Sequence, residues 1–378
     1  MLMKNKLKKL SIVIPCYDEP YPERTWMSLV TCEKPEVEVE VVWVINHGEG
    51  EEFAVQERNR ITLNKLHDLS QIEESKWIQW EIIPAFNLPA KQAGVGLARK
   101  IGMDWVCERL EKSNLSNQPI VCLDADCTVQ PNYLIALEEA FTLHPNWTGA
   151  SIEFKHPIYG EEFEQEVYRG IFLYEQFLRY YIAGLRWAGH PFAFQTIGSA
   201  MAVRSDIYRK QGGMNKRKAG EDFYFLNKII PLGNFLEINS TSVIPSPRPS
   251  HRVPFGTGKA IGKYLESKEI LFYNPLLFEL LKSTWNYLSL QFAVKNEDLG
   301  MDFETLDPTI REFLNSIAWK KNLEEINANV NSRENYIIRM FRWFDLFLVL
   351  KFVHFYQSKH LNDLSWEELN RIPLPFKF

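Results

Sequence analysis

Two carboxylates one residue apart, Asp124 and Asp126, lie in the segment LDADC. On an extended chain, side chains two positions apart project in the same direction. Like charges that close raise each other's pKa unless a cation stands between them. Hard carboxylate oxygens suit Mg²⁺ or Mn²⁺, and Mg²⁺ is commonly shared between protein carboxylates and substrate phosphates. The competing reading is a strand-end turn with solvated aspartates; the apolar run before the pair favours the metal. A second acidic pair, Glu221 and Asp222, opens the helical stretch in AGEDF. Acidic residues in a first turn complement the helix dipole. Alternatively, one of them takes a proton from an acceptor hydroxyl as general base. A third cluster is PRPSHRVPFGTGK, where Arg248, Arg252 and Lys259 suit phosphate oxygens in a glycine-containing loop. His251, between the two arginines, is either a metal ligand or an exposed loop histidine.

Positioning such groups requires a scaffold. Over the first 125 residues, short Val- and Ile-rich runs (10–17, 39–46, 78–86 and 119–126) alternate with polar stretches of helical spacing (51–70 and 90–112). That alternation predicts a parallel, doubly wound α/β sheet covered on both faces. Such sheets bind ligands outside the carboxyl ends of their strands. The residues just past each run are Asp18 and Glu19, Asn46 and His47, Asn87 with Lys91, and Asp124 with Asp126. Further on, 161–188 reads as a long aromatic-rich helix, 192–204 as strand, turn, strand, and 235–244 as another strand. From 259 onward the pattern is mostly helical. The division expected is a catalytic domain over 1–258 and a helical C-terminal extension over 259–378, packed onto it.

Several segments resemble, in order, the motifs of family 2 glycosyltransferases with the GT-A fold: SIVIPCYDEP, LDADCTVQPNYL, GSAMAVR, GGM and AGEDF. The resemblance spans roughly residues 10–258. It implies a Rossmann-like, mostly parallel sheet and an inverting hexosyltransferase that uses a nucleotide-sugar donor. The acceptor would be a carbohydrate, lipid-linked or other hydroxyl, as in polysaccharide or glycoconjugate synthesis. By the same analogy Pro15, Tyr17 and Glu19 lie near the nucleotide. Asp124 contacts the ribose or the metal, and Asp126 ligates the divalent cation that bridges the diphosphate. Asp222 is the base, Glu221 orients or contacts the acceptor, Gly198 and Ser199 line the acceptor side, and His251 completes the metal site. The chain departs from the pattern at VINHGEG, where many relatives carry a base-reading Asp; Asn46 or His47 substitutes. Lys91 and Arg99 are the basic candidates over the donor.

Other readings remain for the same residues. A sugar-1-phosphate nucleotidyltransferase would need a glycine-rich phosphate loop after the first strand, and IPCYDEPYPER has no glycine. A catalytically silent nucleotide- or carbohydrate-binding protein would not need both DAD and ED.

Composition narrows the classes. The 378 residues carry a net charge of −5, which argues against nucleic acid as partner. Five cysteines without a CxxC pair read as reduced thiols of a cytosolic protein. No stretch reaches the roughly 18 apolar residues of a spanning helix. The closest, 343–356, is interrupted by Asp345, Lys351 and His354. It reads as a core helix, with peripheral docking at the inner face of a membrane as the other choice.

Overall fold

The computed structural model describes residues 6–250, 256–294, 298–358 and 362–378. The chain divides into two compact units, Met1–Ile171 with Thr196–Glu266, and Phe172–Gln195 with Ser267–Phe378.

The first unit is built on an eight-stranded sheet. Its strands are β1 (Lys9–Cys16), β2 (Glu38–Gly48), β3 (Gln79–Leu88), β4 (Pro119–Cys122), β5 (Thr128–Val129), β6 (Gly149–Phe154), β7 (Met201–Arg204) and β8 (Leu236–Ile244). The spatial order is β3-β2-β1-β4-β7-β6-β8-β5. The first four strands are parallel, as the alternating pattern predicts. Strands β7 and β5 run against their neighbours, so the sheet is mixed but mostly parallel. Helices α1 (Pro22–Val30), α2 (Phe53–Ser70), α3 (Val95–Lys112) and α4 (Tyr133–Leu143) follow the early strands. Helix α5 (Gln165–Ala188) begins in this unit and belongs from Phe172 onward to the second, while α6 (Ser205–Lys210), α7 (Glu221–Ile229) and α8 (Thr257–Ser267) come later in the first. This is an α/β, GT-A-like architecture: a Rossmann-like parallel half joined to a mixed half.

Physical reasons for the central strands are direct. Every residue of β1 is buried, because the strand is paired on both edges and covered on both faces. Helix α3 packs onto it at Gly102, where a Cβ would lie 2.5 Å from Val13 Cγ1 and 3.0 Å from Val44 Cγ2. A side chain at 102 would push the helix off β1 and β2. Two expectations are corrected. Within 192–204 only Met201–Arg204 is strand; 192–200 is turn and irregular chain. The fourth strand ends at Cys122 rather than running to 126, so the DAD segment is free to turn above the sheet.

The second unit is helical. Besides Phe172–Gln195 it contains α9 (Leu276–Ser289), α10 (Pro308–Ser316), α11 (Trp319–Ala328), α12 (Arg333–Trp343), α13 (Leu346–Gln357) and α14 (Trp366–Leu369). Aromatic side chains form much of its core: Tyr180 meets Phe272 and Phe278, and Trp285 meets Phe341 and Phe344. Two of its buried tyrosine hydroxyls are satisfied locally. The Tyr180 hydroxyl donates to the Tyr273 carbonyl at 2.6 Å and that of Tyr336 to Leu288 at 2.7 Å. Burial pushes His190 down to about 4, so its ring is neutral, with Nε2 3.2 Å from the Phe344 carbonyl. Asp345, which interrupts the apolar run at 343–356, is the N-cap of α13 and accepts from Phe347 and Leu348. Leu346, Leu348, Val349, Phe352, Val353 and Tyr356 are buried, the pattern of a core helix. No described helix is long and apolar enough to cross a membrane.

Candidate functional site

Strand ends converge on a cleft of about 300 Å³ in the first unit. Its lining includes Pro15 of β1, Tyr17 and Glu19 just after it, Asn46 and Gly48 of β2, and Asp124 to Asp126 after β4. Glu51, Ala93 to Val95 and Lys218 complete it. Six residues singled out from the sequence therefore share one wall system. Lys91, in an exposed turn, and Arg99 are not among the lining residues. His251 and Arg252 lie outside the described residues.

The loops over β1 and β2 are tied together by one side chain. Asn59 of α2 is fully buried, accepts from the Asp18 backbone N–H at 2.9 Å, and donates to the Asn46 carbonyl at 3.1 Å. Asp18 adopts a positive φ of 50°, and its carboxylate pairs with Arg58. Asn46 itself is 3% exposed, and its Oδ1 has no hydrogen-bond partner. A buried acceptor left unpaired costs about 1–3 kcal/mol. Facing a cleft, it is a group waiting for a ligand N–H or O–H. His47 is also buried but stacks on Phe86, with Nδ1 3.2 Å from the Gly48 carbonyl. Of the two candidates, Asn46 is the one that lines the cleft.

The DAD turn is held from three sides. Leu123 N–H donates to Val13, Cys127 N–H to Asp124, and Thr25 Oγ1 of α1 to the Ala125 carbonyl at 2.8 Å. Pairing of β5 with β8, Thr128 opposite Ile244, brings the loop after β8 beside this turn. Arg248 on that loop forks onto Glu19, with Nη1 3.2 Å from Oε1 and Nη2 2.5 Å from Oε2. The same Nη2 is 4.0 Å from Asp126 Oδ2. Glu19 is buried, so the bidentate ion pair both shields it and fixes the arginine.

A second ion-pair system underlies the first. Arg99, 2% exposed in α3, reaches Asp124 with Nη2 and Glu221 with Nη1. Burial opposes its charge, but the nearby carboxylates, Asp124 foremost, outweigh that and keep it protonated. Glu221 is likewise 2% exposed. It starts α7 after Gly220, whose φ of 68° is a left-handed conformation that glycine adopts without strain. Gly198 lies against this pair: a Cβ there would stand 2.6 Å from Arg99 Nη1. Its backbone N–H, like that of Phe223 at 2.7 Å, donates to the Asp222 carboxylate. Burial raises the Asp222 pKa above its ordinary value, Asp124 adds to the rise, and Arg99 with the two N–H donors opposes it. Ser199 is buried, and the nearby Cys127 thiol donates to Asp126 Oδ1 at 3.6 Å, with burial raising its pKa strongly.

Asp124 and Glu221 are thus joined through Arg99, and Asp222 stands next to that junction. Glu19 and Asp126 are joined through Arg248. The connections sequence reading missed are Asn59, Lys218 and the bridging position of Arg99. Among the described residues, no group of three or more His, Cys, Asp or Glu side chains is gathered to hold a metal ion alone. Asp124 and Asp126 offer only oxygen donors, and Arg99 already engages Asp124. That set fits a hard divalent cation completed by phosphate oxygens and water rather than a closed protein cage.

No protein-family model matches the chain, and no curated protein matches it. Among solved structures, residues 1–349 of TarS from S. aureus in complex with UDP-GlcNAc match at 13% identity and a TM-score of 0.46, covering 88% of this chain and 91% of that one. The same TarS fragment with UDP matches at 13% identity and 0.41, covering 89% and 90%. A longer TarS structure matches at 14% identity and 0.41, covering 88% and 55%.

Proposed function

We propose that the chain is a nucleotide-sugar-dependent glycosyltransferase that transfers a sugar to an acceptor hydroxyl with inversion. The observation that carries the reading is the cleft itself. It combines an unpaired buried acceptor (Asn46) with the DAD carboxylates, and Arg99 links these to the helix that begins with Glu221 and Asp222. In this reading Asn46 accepts from the base of the nucleotide, and Pro15 and Tyr17 flank it. Asp126, with Asp124 beside it, would hold a divalent cation. When bound, that cation would stabilise negative charge on the leaving group. Asp222, its carboxylate oriented by the N–H groups of Gly198 and Phe223, accepts the proton of the acceptor hydroxyl. Glu221, held by Arg99, fixes the first turn that carries this base. The order of the motifs along the chain, similar to family 2 glycosyltransferases, supports the same assignment.

The direct test is release of nucleoside diphosphate from a panel of sugar nucleotides with Mg²⁺ or Mn²⁺ and candidate hydroxyl acceptors. Metal-dependent release with one donor supports the reading. Tight donor binding with neither transfer nor hydrolysis across the panel would instead favour the silent binding protein.

A further inference from the structure

A donor diphosphate brings negative charge into a cleft that already holds Glu51, Asp124 and Asp126. Beside a metal ion at Asp126, a basic side chain lining the cleft would help to meet it. Arg248 is committed to Glu19, Arg99 lies buried between Asp124 and Glu221, and Lys91 is not among the lining residues. Lys218 does line the cleft, and its side chain is exposed with no carboxylate paired to it among the described residues.

Lys218 is brought there by close backbone packing. The segment 215–218 crosses the start of α3 at two glycines. A Cβ on Gly94 would stand 2.9 Å from Lys218 Cα, and one on Gly96 would stand 2.3 Å from the Arg217 carbonyl. Asn215 pins the segment: its Nδ2 donates to the Glu221 carbonyl at 2.8 Å, and its Oδ1 accepts from Arg217 N–H at 3.1 Å. The Arg217 guanidinium lies 3.5 Å over the Tyr224 ring, so the neighbouring charge is spent on α7. Gly94 and Val95, at the N-terminal end of the 18-residue α3, line the same cleft. Free N–H groups at such an end favour anions. Independently, the unpaired Oδ1 of buried Asn46 in this cleft points to a ligand there.

We propose that Lys218 binds the diphosphate of the donor and stabilises it as the leaving group. This rests on the donor reading above. In the step, the acceptor oxygen forms a bond to the sugar C1 while the bond from C1 to the β-phosphate oxygen breaks. The bonding pair departs with the diphosphate, and the acceptor proton passes to Asp222. Lys218 meets the charge that develops on the diphosphate oxygens. The basic segment runs directly into Glu221 and Asp222, so one short stretch of chain carries both the leaving-group cation and the base.

The test compares wild type, Lys218→Met and Lys218→Arg as full chains at fixed Mg²⁺. Ligand-observed NMR with competition measures binding of UDP, GDP and ADP and of uridine, guanosine and adenosine. For the preferred base, Lys218→Met should weaken the diphosphate by about tenfold or more. Nucleoside binding should stay unchanged, and Lys218→Arg should keep most of the diphosphate affinity. Equal diphosphate binding by Lys218→Met would overturn the assignment. So would an equal loss for nucleoside and diphosphate, which would mean that the substitution disturbs the cleft as a whole. If wild type binds none of the diphosphates, the donor reading falls and takes this inference with it.

Discussion

Arg99 and Glu221 form a buried ion pair that ties α3 to the first turn of α7, across 122 positions of sequence. Asp124 shares the same guanidinium from the end of β4. Removing one partner of a buried pair leaves an uncompensated charge, at a cost of about 3–5 kcal/mol. Arg99→Met should therefore lower stability by that order in urea denaturation at neutral pH. Arg99→Lys should recover only part of it, because an ammonium cannot present the planar fork that meets two carboxylates at once.

Gly198 reports on the same junction from outside. Its α-carbon is pressed against the Arg99 guanidinium, so Gly198→Ala forces a displacement of a side chain that two carboxylates hold. Overpacking of this kind costs about 1–3 kcal/mol. The expected result is a lowered thermal midpoint together with reduced transfer, since Gly198 N–H also orients Asp222. An unchanged midpoint would show that the arginine yields freely.

Asp222→Asn should retain donor binding and lose about 10²–10⁴-fold in transfer, the usual contribution of a positioned base. The pH dependence follows from the raised pKa of Asp222. Transfer needs the carboxylate, so wild-type activity should fall as pH drops through a value above the ordinary aspartate pKa. Stability runs the other way. Between the unfolded and the raised folded pKa the native state binds the extra proton, so wild-type stability falls as pH rises through that window. The asparagine variant lacks this loss. Its stability relative to wild type should be greater at pH 7 than at pH 3, a comparison that denaturant titration at the two pH values makes directly.

Asn46→Leu separates ligand binding from folding. The substitution removes a buried acceptor that has no partner in the free protein, so it should leave stability unchanged or raise it. Nucleotide binding should weaken by about tenfold for loss of one buried hydrogen bond. A variant that loses stability while binding nucleotide normally would remove Asn46 from the site.

Asp126→Ala should abolish most of the divalent-cation dependence of donor binding, with little loss of stability because this carboxylate is partly exposed at the cleft. Calorimetric titration of nucleoside diphosphate with and without Mn²⁺ measures the difference. Metal dependence equal to wild type would count against a ligand role.

The parallel half of the fold was legible because β1 to β3 are apolar runs long enough to stand out between helical spacings. The mixed half was legible only in part: 235–244 read as strand is β8 and the end of 192–204 is β7, while β5 and β6 were not read. Strand β6, GASIEF, is short and opens on small residues, and the two residues of β5 are strand only because β8 passes beside them. FAFQTIGSA looks like strand by composition, yet the chain there turns to lay Gly198 against Arg99. Asp124, Asp126, Glu19 and Asn46 were readable as strand-end polar residues. The positions of Arg99 and Lys218 were not. A basic residue in a helix is ordinarily solvated. Only the meeting of Asp124 and Glu221, remote in sequence, makes burial of Arg99 tolerable.

The C-terminal compact unit takes its first helical turns from the middle of the chain, Phe172–Gln195. A truncation after Glu266 would keep Phe177, Tyr180 and Trp187 but discard Phe272, Tyr273, Phe278 and Phe376, against which they pack. Such a fragment would retain every residue of the cleft and still carry a bare aromatic face, the kind of surface that drives self-association. Solubility in this protein is therefore decided by a region that contributes no residue to the proposed chemistry.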